Sequence, residues 1–337
     1  MRLFTKCHLQ YLTLLALLSS CVTNKGVDTG TKFDVYTNTK NVNVAYNQAI
    51  PYEQTTYVAT SRKTIPTQYD GYKLVWNDEF DIDGLPGKAW SAEQGFVRNN
   101  ELQWYQMANT KVDRGCLVIE GRKKKIINPN YQADNEDWRR NREYAEYTST
   151  SLTTRNSFVF KYGRLEVRAK IPVTSGSWPA IWLLGNKWDW PQCGEIDVME
   201  FYISNGRPSI LANACWGSDQ RWKAVWNTKI IPFTHFLSKD SDWANQFHLW
   251  RMDWDSKFIR IYLDGELLNE IDLSQTQNRG YGGNAENPFS NDVNDFGAYI
   301  LLNLAIGGNG GTPDDSRFPL RYFVDYVRVY QPIEVKD

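Results

Sequence analysis

The chain has 337 residues, 42% of them hydrophobic and 23% charged, with a formal net charge of −1. That balance carries no basic footprint, so nucleic acid is not an expected partner. Aromatic residues reach 14%, with 14 Trp and 19 Tyr; rings in such number suit both a large β core and a surface that stacks on the apolar faces of sugars.

Residues 1–21 open with Arg2 and Lys6 and then run apolar from Tyr11 to Leu18. That run is too short to span a bilayer as a helix. Leu18-Ser19-Ser20-Cys21 resembles a bacterial lipoprotein signal, cleaved before a Cys that becomes lipidated. Val22, where Asp would be the alternative, resembles lipoproteins sent to the outer membrane. The expectation is a monomer of the bacterial cell envelope, lipid-anchored to the outer membrane through Cys21. Residues 22–68 are polar, rich in Thr and Asn, and read as a tether.

From Tyr72 onward strand signals follow one another, separated by turn residues. The expected strands are Tyr72–Trp76, Cys116–Arg122, Ser157–Phe160, Arg164–Ile171, Ala180–Leu184, Glu195–Phe201, Ile210–Trp216, Phe247–Trp254, Phe258–Leu263, Ala298–Ala305 and Tyr322–Gln331. Only Phe233–Leu237 offers a helical turn. The sum is an all-β sandwich forming one domain over 69–333. Three long connections remain. Residues 123–146 are basic, with Lys123, Lys124, Lys125, Arg139, Arg140 and Arg142; they either grip an acidic glycan or form a solvated loop balanced by nearby acids. Residues 218–246 carry Trp222, Trp226 and Trp243. Residues 274–297, rich in Gly and Asn, are expected to form a mobile wall.

The densest chemistry lies in Glu195-Ile196-Asp197-Val198-Met199-Glu200. Side chains of a regular strand alternate faces, so Glu195 and Asp197 share one and Glu200 points to the other. One extra residue, a β-bulge at Val198-Met199, brings Glu200 back to the face of Glu195 and Asp197. Ile196 and Val198 or Met199 then enter the core. A solvated acidic face and a calcium loop are the alternatives. Like-charge repulsion among the acids and their apolar, strand-forming spacers disfavour both.

Five Cys occur, of which Cys116, Cys193 and Cys215 would remain after processing; Cys193–Cys215 is the pairing to test. His8, His235 and His248 are the only histidines, with no ligand spacing to Cys and too few for a Ser-His-Asp hydrolase.

The acidic segment resembles the catalytic signature of glycoside hydrolase family 16, in its bulged form E-x-D-x-x-E. In order along the chain, Trp76-Asn77-Asp78-Glu79-Phe80, Asn99-Asn100-Glu101-Leu102-Gln103, Tyr162-Gly163-Arg164-Leu165-Glu166, Gly176-Ser177-Trp178-Pro179-Ala180-Ile181-Trp182, Leu302-Asn303-Leu304-Ala305-Ile306-Gly307-Gly308 and Val324-Asp325-Tyr326-Val327 resemble its laminarinase-like branch. The resemblance implies a β-jelly roll with a concave cleft. It also implies a retaining endo-β-glycoside hydrolase of β-1,3 or mixed β-1,3/1,4-glucan, with Glu195 as nucleophile and Glu200 as general acid/base. Asp197 would share a proton or hydrogen bond with Glu195. Trp178, Trp182 and Trp190 match positions lining the sugar subsites, Asn99, Glu101 and Arg164 match polar contacts to sugar hydroxyls, and Trp216 is a further aromatic candidate. No cofactor is implied for catalysis. An optional structural calcium would sit on Asp325 with carbonyls near Glu79 and Gly115. The family's β-1,3-glucanases commonly carry a His-aromatic pair on the strand after the catalytic one; here that place reads Cys215-Trp216. This departure leaves open an endo-β-galactosidase acting on algal galactan, keratan-like or mucin O-glycan chains. A non-catalytic glycan-binding lipoprotein is the third reading.

Overall fold

The computed structural model describes residues 68–333. The expected signal peptide, Cys21 and nearly all of the tether lie outside the described residues. Seventeen strands follow within them: β1 (Tyr72–Asp78), β2 (Ser91–Ala92), β3 (Gln103–Tyr105), β4 (Thr110–Asp113), β5 (Cys116–Ile127), β6 (Tyr144–Ser149), β7 (Ser151–Thr153), β8 (Gly163–Lys170), β9 (Ser177–Gly185), β10 (Glu195–Ser204), β11 (Arg207–Gly217), β12 (Ala224–Pro232), β13 (His248–Trp254), β14 (Phe258–Leu263), β15 (Glu266–Asp272), β16 (Ala298–Ile306) and β17 (Leu320–Pro332). Two single-turn helices, α1 (Trp138–Asn141) and α2 (Thr234–Leu237), interrupt them.

The strands form two sheets. The seven-stranded sheet runs β12-β11-β10-β9-β16-β7-β2. The ten-stranded sheet runs β15-β14-β13-β8-β17-β5-β6-β3, with β1 on β17 and β4 on β5. Alternation decides which side chains meet between them. Ile181 and Leu183 of β9, Ile210, Ala212, Ala214 and Trp216 of β11, and Ile300, Leu302 and Leu304 of β16 enter the main core. Opposite them stand Leu165, Val167 and Ala169 of β8, Trp250 and Met252 of β13, and Val324, Val327 and Val329 of β17. Full burial of each large aliphatic contributes about 1.5–3 kcal/mol. The two sheets therefore hold each other through one continuous apolar layer, which leaves the outer face of the seven-stranded sheet to chemistry.

The sandwich matches the expected class, and Phe258–Leu263 is a strand with the expected bounds. Ser157–Phe160 is not a strand. Ser157 and Phe158 fold back in a turn on Thr154, leaving one bridge, Phe160 to Ala298. Conversely, β12 lies inside a stretch read as a connection, and β6 begins inside another. Their polar and charged residues hide the pairing, which comes from partner strands β5 and β11. The 274–297 segment is pinned rather than standing as a loose wall. Phe289 is buried and its carbonyl accepts from the Trp254 indole at 3.0 Å; Asn278 donates to the Gln192 carbonyl and accepts from the Gly217 amide at 2.7 Å. Cys193 and Cys215 are buried free thiols, so the Cys193–Cys215 pairing is not formed; Cys116 is buried as well.

Candidate active site

β10 carries an irregularity where the acids require it. Toward β11, Asp197 pairs with Asn213 and Glu200 with Leu211, so three steps on β10 span two on its neighbour. Toward β9, Asp197 pairs with Trp182, Met199 with Ile181 and Glu200 with Ala180. The extra residue is a β-bulge at Val198-Met199, and both side chains are fully buried in the core with Ile196 and Phe201. Glu195, Asp197 and Glu200 thereby share the outer face. Just before them Gly194 sits at φ +76°, where a Cβ would lie 2.7 Å from the Phe289 ring, so any side chain here would push β10 off the pinned segment.

Each acid has a different set of partners. The Trp190 indole donates to Oε2 of Glu195 at 2.7 Å. The Trp178 indole donates to Oε1 of Glu200 at 2.9 Å. The Asn213 amide donates to Oε2 of Glu200 at 3.0 Å and to Oδ2 of Asp197 at 3.2 Å. Burial raises Glu195 above the usual glutamate range, while hydrogen bonds from Trp190 and Asp197 and the Arg98 charge pull it back. Burial, then the charges of Glu200 and Glu195, push Asp197 well up, and its hydrogen bond to Glu195 does the same. Asp197 is therefore the protonated donor and Glu195 the acceptor. Glu200 is pushed up to about 7, chiefly by burial and then by the Glu195 charge, against the Trp178 hydrogen bond. Within the hydrogen-bonded pair Glu195 ionises before Asp197, while Glu200 holds its proton toward neutral pH, the division of labour that acid-assisted nucleophilic attack needs.

A cleft of about 800 Å³ lies over these acids. Of the expected residues it gathers Asn99, Glu101, Trp178, Trp182 and Trp190 around Glu195, Asp197 and Glu200. Glu101 accepts from the Asn99 amide at 3.3 Å and the Gln103 amide at 2.6 Å. The Trp182 indole donates to Asn303 at 2.7 Å. The cleft also contains Arg98, Tyr202, Asn213 and Trp226, which were not among the expected site residues. Asn213 and Trp226 were legible in principle: alternation from the acids across β11 and β12 places both on the outer face. Arg98 sits in a loop, where no periodicity points to it. A larger depression of about 1180 Å³ beside the pinned segment holds no comparable set of acids.

The basic 123–146 stretch serves the cleft from behind. Lys123 pairs with Asp315 and Lys125 with Glu146. Arg142 donates to the carbonyls of Glu101 at 2.5 Å and Asn100 at 3.1 Å. Asn99 and Asn100 both sit at φ +55°, in the left-handed region, so this arginine braces a strained turn that offers Asn99 and Glu101 to the cleft.

Two expected contacts fall elsewhere. Arg164 lies on β8 of the ten-stranded sheet; Leu165 and Val167 face the core, so Arg164 points away from it, in a two-pronged pair with Asp253 at 2.7 and 3.0 Å. Trp216 is 5% exposed and packs into the main core, because alternation from Asn213 puts it on the inner face of β11. Of the residues expected around calcium, Asp325 is the one side-chain ligand; it is buried and accepts from Arg168 at 2.8 Å, while the carboxylate of Glu79, whose carbonyl was the expected ligand, takes both prongs of Arg328 at 2.8 Å. Gly115 turns between β4 and β5 at φ +77°. A carboxylate already engaged by a guanidinium does not fit a hard-cation ligand set. Among the described residues no cluster of three or more His, Cys, Asp or Glu could hold a metal.

Comparison with known proteins places this geometry in a family. The model for glycosyl hydrolases family 16 matches residues 99–291. A glucan endo-1,3-beta-glucosidase A1 of Niallia circulans is 30% identical over 275 residues, covering 77% of this chain but 38% of that protein, so the chain spans little more than a third of that relative. A beta-glucanase of Rhodothermus marinus is 30% identical over 287 residues, 78% of this chain and 86% of that one. A solved chain from a study of endo-acting O-glycanases with which human gut bacteria initiate mucin breakdown is 36% identical, with a TM-score of 0.67 over 78% of this chain and 91% of its own. The bulged acid triad, the sandwich that carries it and these matches together show that the chain belongs to glycosyl hydrolases family 16.

Proposed function

We propose that this protein is a retaining, endo-acting β-glycanase that cleaves β-1,3 or mixed β-1,3/1,4-glucan by double displacement. The observation that carries the reading is the bulge, which sets Glu195 and Glu200 together on one wall of an aromatic cleft. In the first step Glu195 attacks the anomeric carbon and Glu200 protonates the departing glycosidic oxygen. In the second, Glu200, now ionised, takes a proton from water as that water displaces Glu195 from the sugar. Asp197 donates its hydrogen bond to Glu195, which favours the carboxylate before attack and its departure afterwards. The two relatives named as glucanases support the glucan. A second reading, cleavage of a β-galactoside in mucin-type or keratan-like chains, is favoured by Cys215. It stands where the family's β-1,3-glucanases commonly carry His, and it is fully buried. Incubation with laminarin, barley glucan and O-glycan or N-acetyllactosamine chains, with product sizes read by chromatography, decides between them. Release of oligosaccharides from the O-glycan arm alone overturns the glucan reading.

We further propose that the enzyme works at the outer membrane through lipid on Cys21, on the strength of Leu18-Ser19-Ser20-Cys21. Wild type should partition with membranes and Cys21→Ser should not. Wild type recovered wholly in the soluble fraction with an unmodified N-terminus sinks this.

A further inference from the structure

The residues lining the cleft include four carboxylates, from Glu101, Glu195, Asp197 and Glu200, and a single cation, Arg98. Arg98 is held from two sides. Its Nη2 pairs with Glu93, which also accepts from the Ser151 hydroxyl at 2.6 Å. Its guanidinium lies 4.9 Å from the centre of the Trp182 ring, within cation–π range. Trp182 is 8% exposed and the Arg98 side chain 22%, so more of the arginine than of the indole is open to an incoming sugar. Nη1 of Arg98 is buried and has no partner in the protein, while the side chain as a whole is 22% exposed and lines the cleft. A rigid guanidinium with one hand tied to a carboxylate, one face on an aromatic and a spare N–H is built to donate once more.

We propose that Arg98 is a specificity-determining residue: its guanidinium donates to a neutral oxygen acceptor, a hydroxyl or an acetamido carbonyl, on the sugar seated beside Glu195. The proposal rests on the glycanase reading above and deepens it. The side of the cleft follows from the register: Arg98 lies over Trp182, whose partner on β10 is Asp197, two residues from Glu195 on the same face. Neutrality of the acceptor follows from the count of charges. Glu93 already offsets the arginine, and Glu195 beside the sugar, ionised for attack, repels sulfate or uronate groups. Trp182, itself part of the cleft lining, then also acts as a positioning residue for the guanidinium.

The test uses the full chain with Arg98→Ala, Arg98→Gln and Arg98→Lys, assayed on laminarin, on unsulfated N-acetyllactosamine chains and on keratan sulfate, alongside melting temperatures and pH profiles. On whichever neutral polymer wild type cleaves, Ala and Gln should lower kcat/KM by roughly 10–100-fold, the range for a hydrogen bond to a charged donor. Lys should retain part of the activity. The acid limb of the profile should move upward in all but Lys, because the Arg98 charge lowers the Glu195 pKa. Three outcomes overturn the proposal: variants within threefold of wild type, activity lost only in step with melting temperature, or a wild-type preference for the sulfated chain that vanishes in Arg98→Ala. Cleavage of the N-acetyllactosamine polymer and not of laminarin overturns the glucan reading while leaving Arg98 with an acetamido carbonyl to read. Cleavage of neither polymer overturns both.

Discussion

The indole of Trp178 donates a hydrogen bond to Oε1 of Glu200 at 2.9 Å. This bond stabilises the carboxylate and so works against burial, which raises Glu200 to about 7. Trp178→Phe keeps the ring and removes the donor. The Glu200 pKa should then rise, and the alkaline limb of the pH–rate profile, set by loss of the Glu200 proton, should move above about 7. An unchanged or lowered alkaline limb in Trp178→Phe removes Glu200 from the role of acid.

Catalysis should depend steeply on both glutamates. Glu195→Gln and Glu200→Gln should each lower kcat on an unactivated polysaccharide by at least ~10³-fold, and Asp197→Asn should cost less. Proton NMR of a fresh wild-type digest should show the β-anomer first. Initial α-anomer would mean inversion and a carboxyl gap of ~6.5–9.5 Å, with Glu195 activating water instead of attacking.

The same burial that readies Glu200 weakens the fold. In the unfolded chain a glutamate ionises near 4.5, whereas in the folded protein Glu200 keeps its proton to about 7. Between those values the folded state holds the extra proton, so stability falls as pH rises through that window. Glu200→Gln lifts this cost. Its melting temperature should exceed that of wild type at pH 8 and match it at pH 4. Each kcal/mol recovered appears as roughly 2–4 °C in a domain of this size. Equal shifts at both pH values would mean that the gain has nothing to do with ionisation.

Trp226 is 46% exposed on the outer face of β12 and lines the cleft, paired across the strand with Cys215. An indole left open beside acids is suited to cover a sugar face. At ~25 cal/mol per Å², covering roughly 60 Å² contributes about 1.5 kcal/mol, near tenfold in KM. Trp226→Ala should raise KM on long chains with kcat little changed. Trp222, 54% exposed and outside the cleft lining, should be silent in the same assay. Equal effects from the two would deny Trp226 a subsite.

The catalytic strand was readable because its chemistry contradicts its period. Three acids with two adjacent apolar residues between the second and third make sense only if the strand bulges, and Val198 and Met199 are both in the core. The central strands were readable for the usual reason, apolar alternation, while β6 and β12 were not, because their polar residues stand at the margins of the sheets. Arg164 was misplaced for a related cause. Its strand is as regular as β9, and sequence alone does not say to which sheet a regular strand belongs. Trp216 was separable by counting from Asn213. Arg98 was beyond reach: its position depends on Glu93, Trp182 and a loop, none of which shares a spacing with it.

The bulge also bears on how long this strand has to be. On both flanks β10 spends three steps where its neighbours spend two, and regular pairing resumes at Glu200 opposite Leu211 and Ala180. One residue of the chain is therefore surplus to the lattice. Without Met199, Val198 would take its place opposite Ile181, and every later partner on β10 would stay where it is. The loss is confined to one core side chain, at the ~2–5 kcal/mol of a large truncation, and the acids keep their common face. A protein shortened by this single residue should still fold, with amide-exchange protection retained along Phe201–Ser204. Single-codon length change is thus an accessible step at the one place in the sheet where length and catalysis meet.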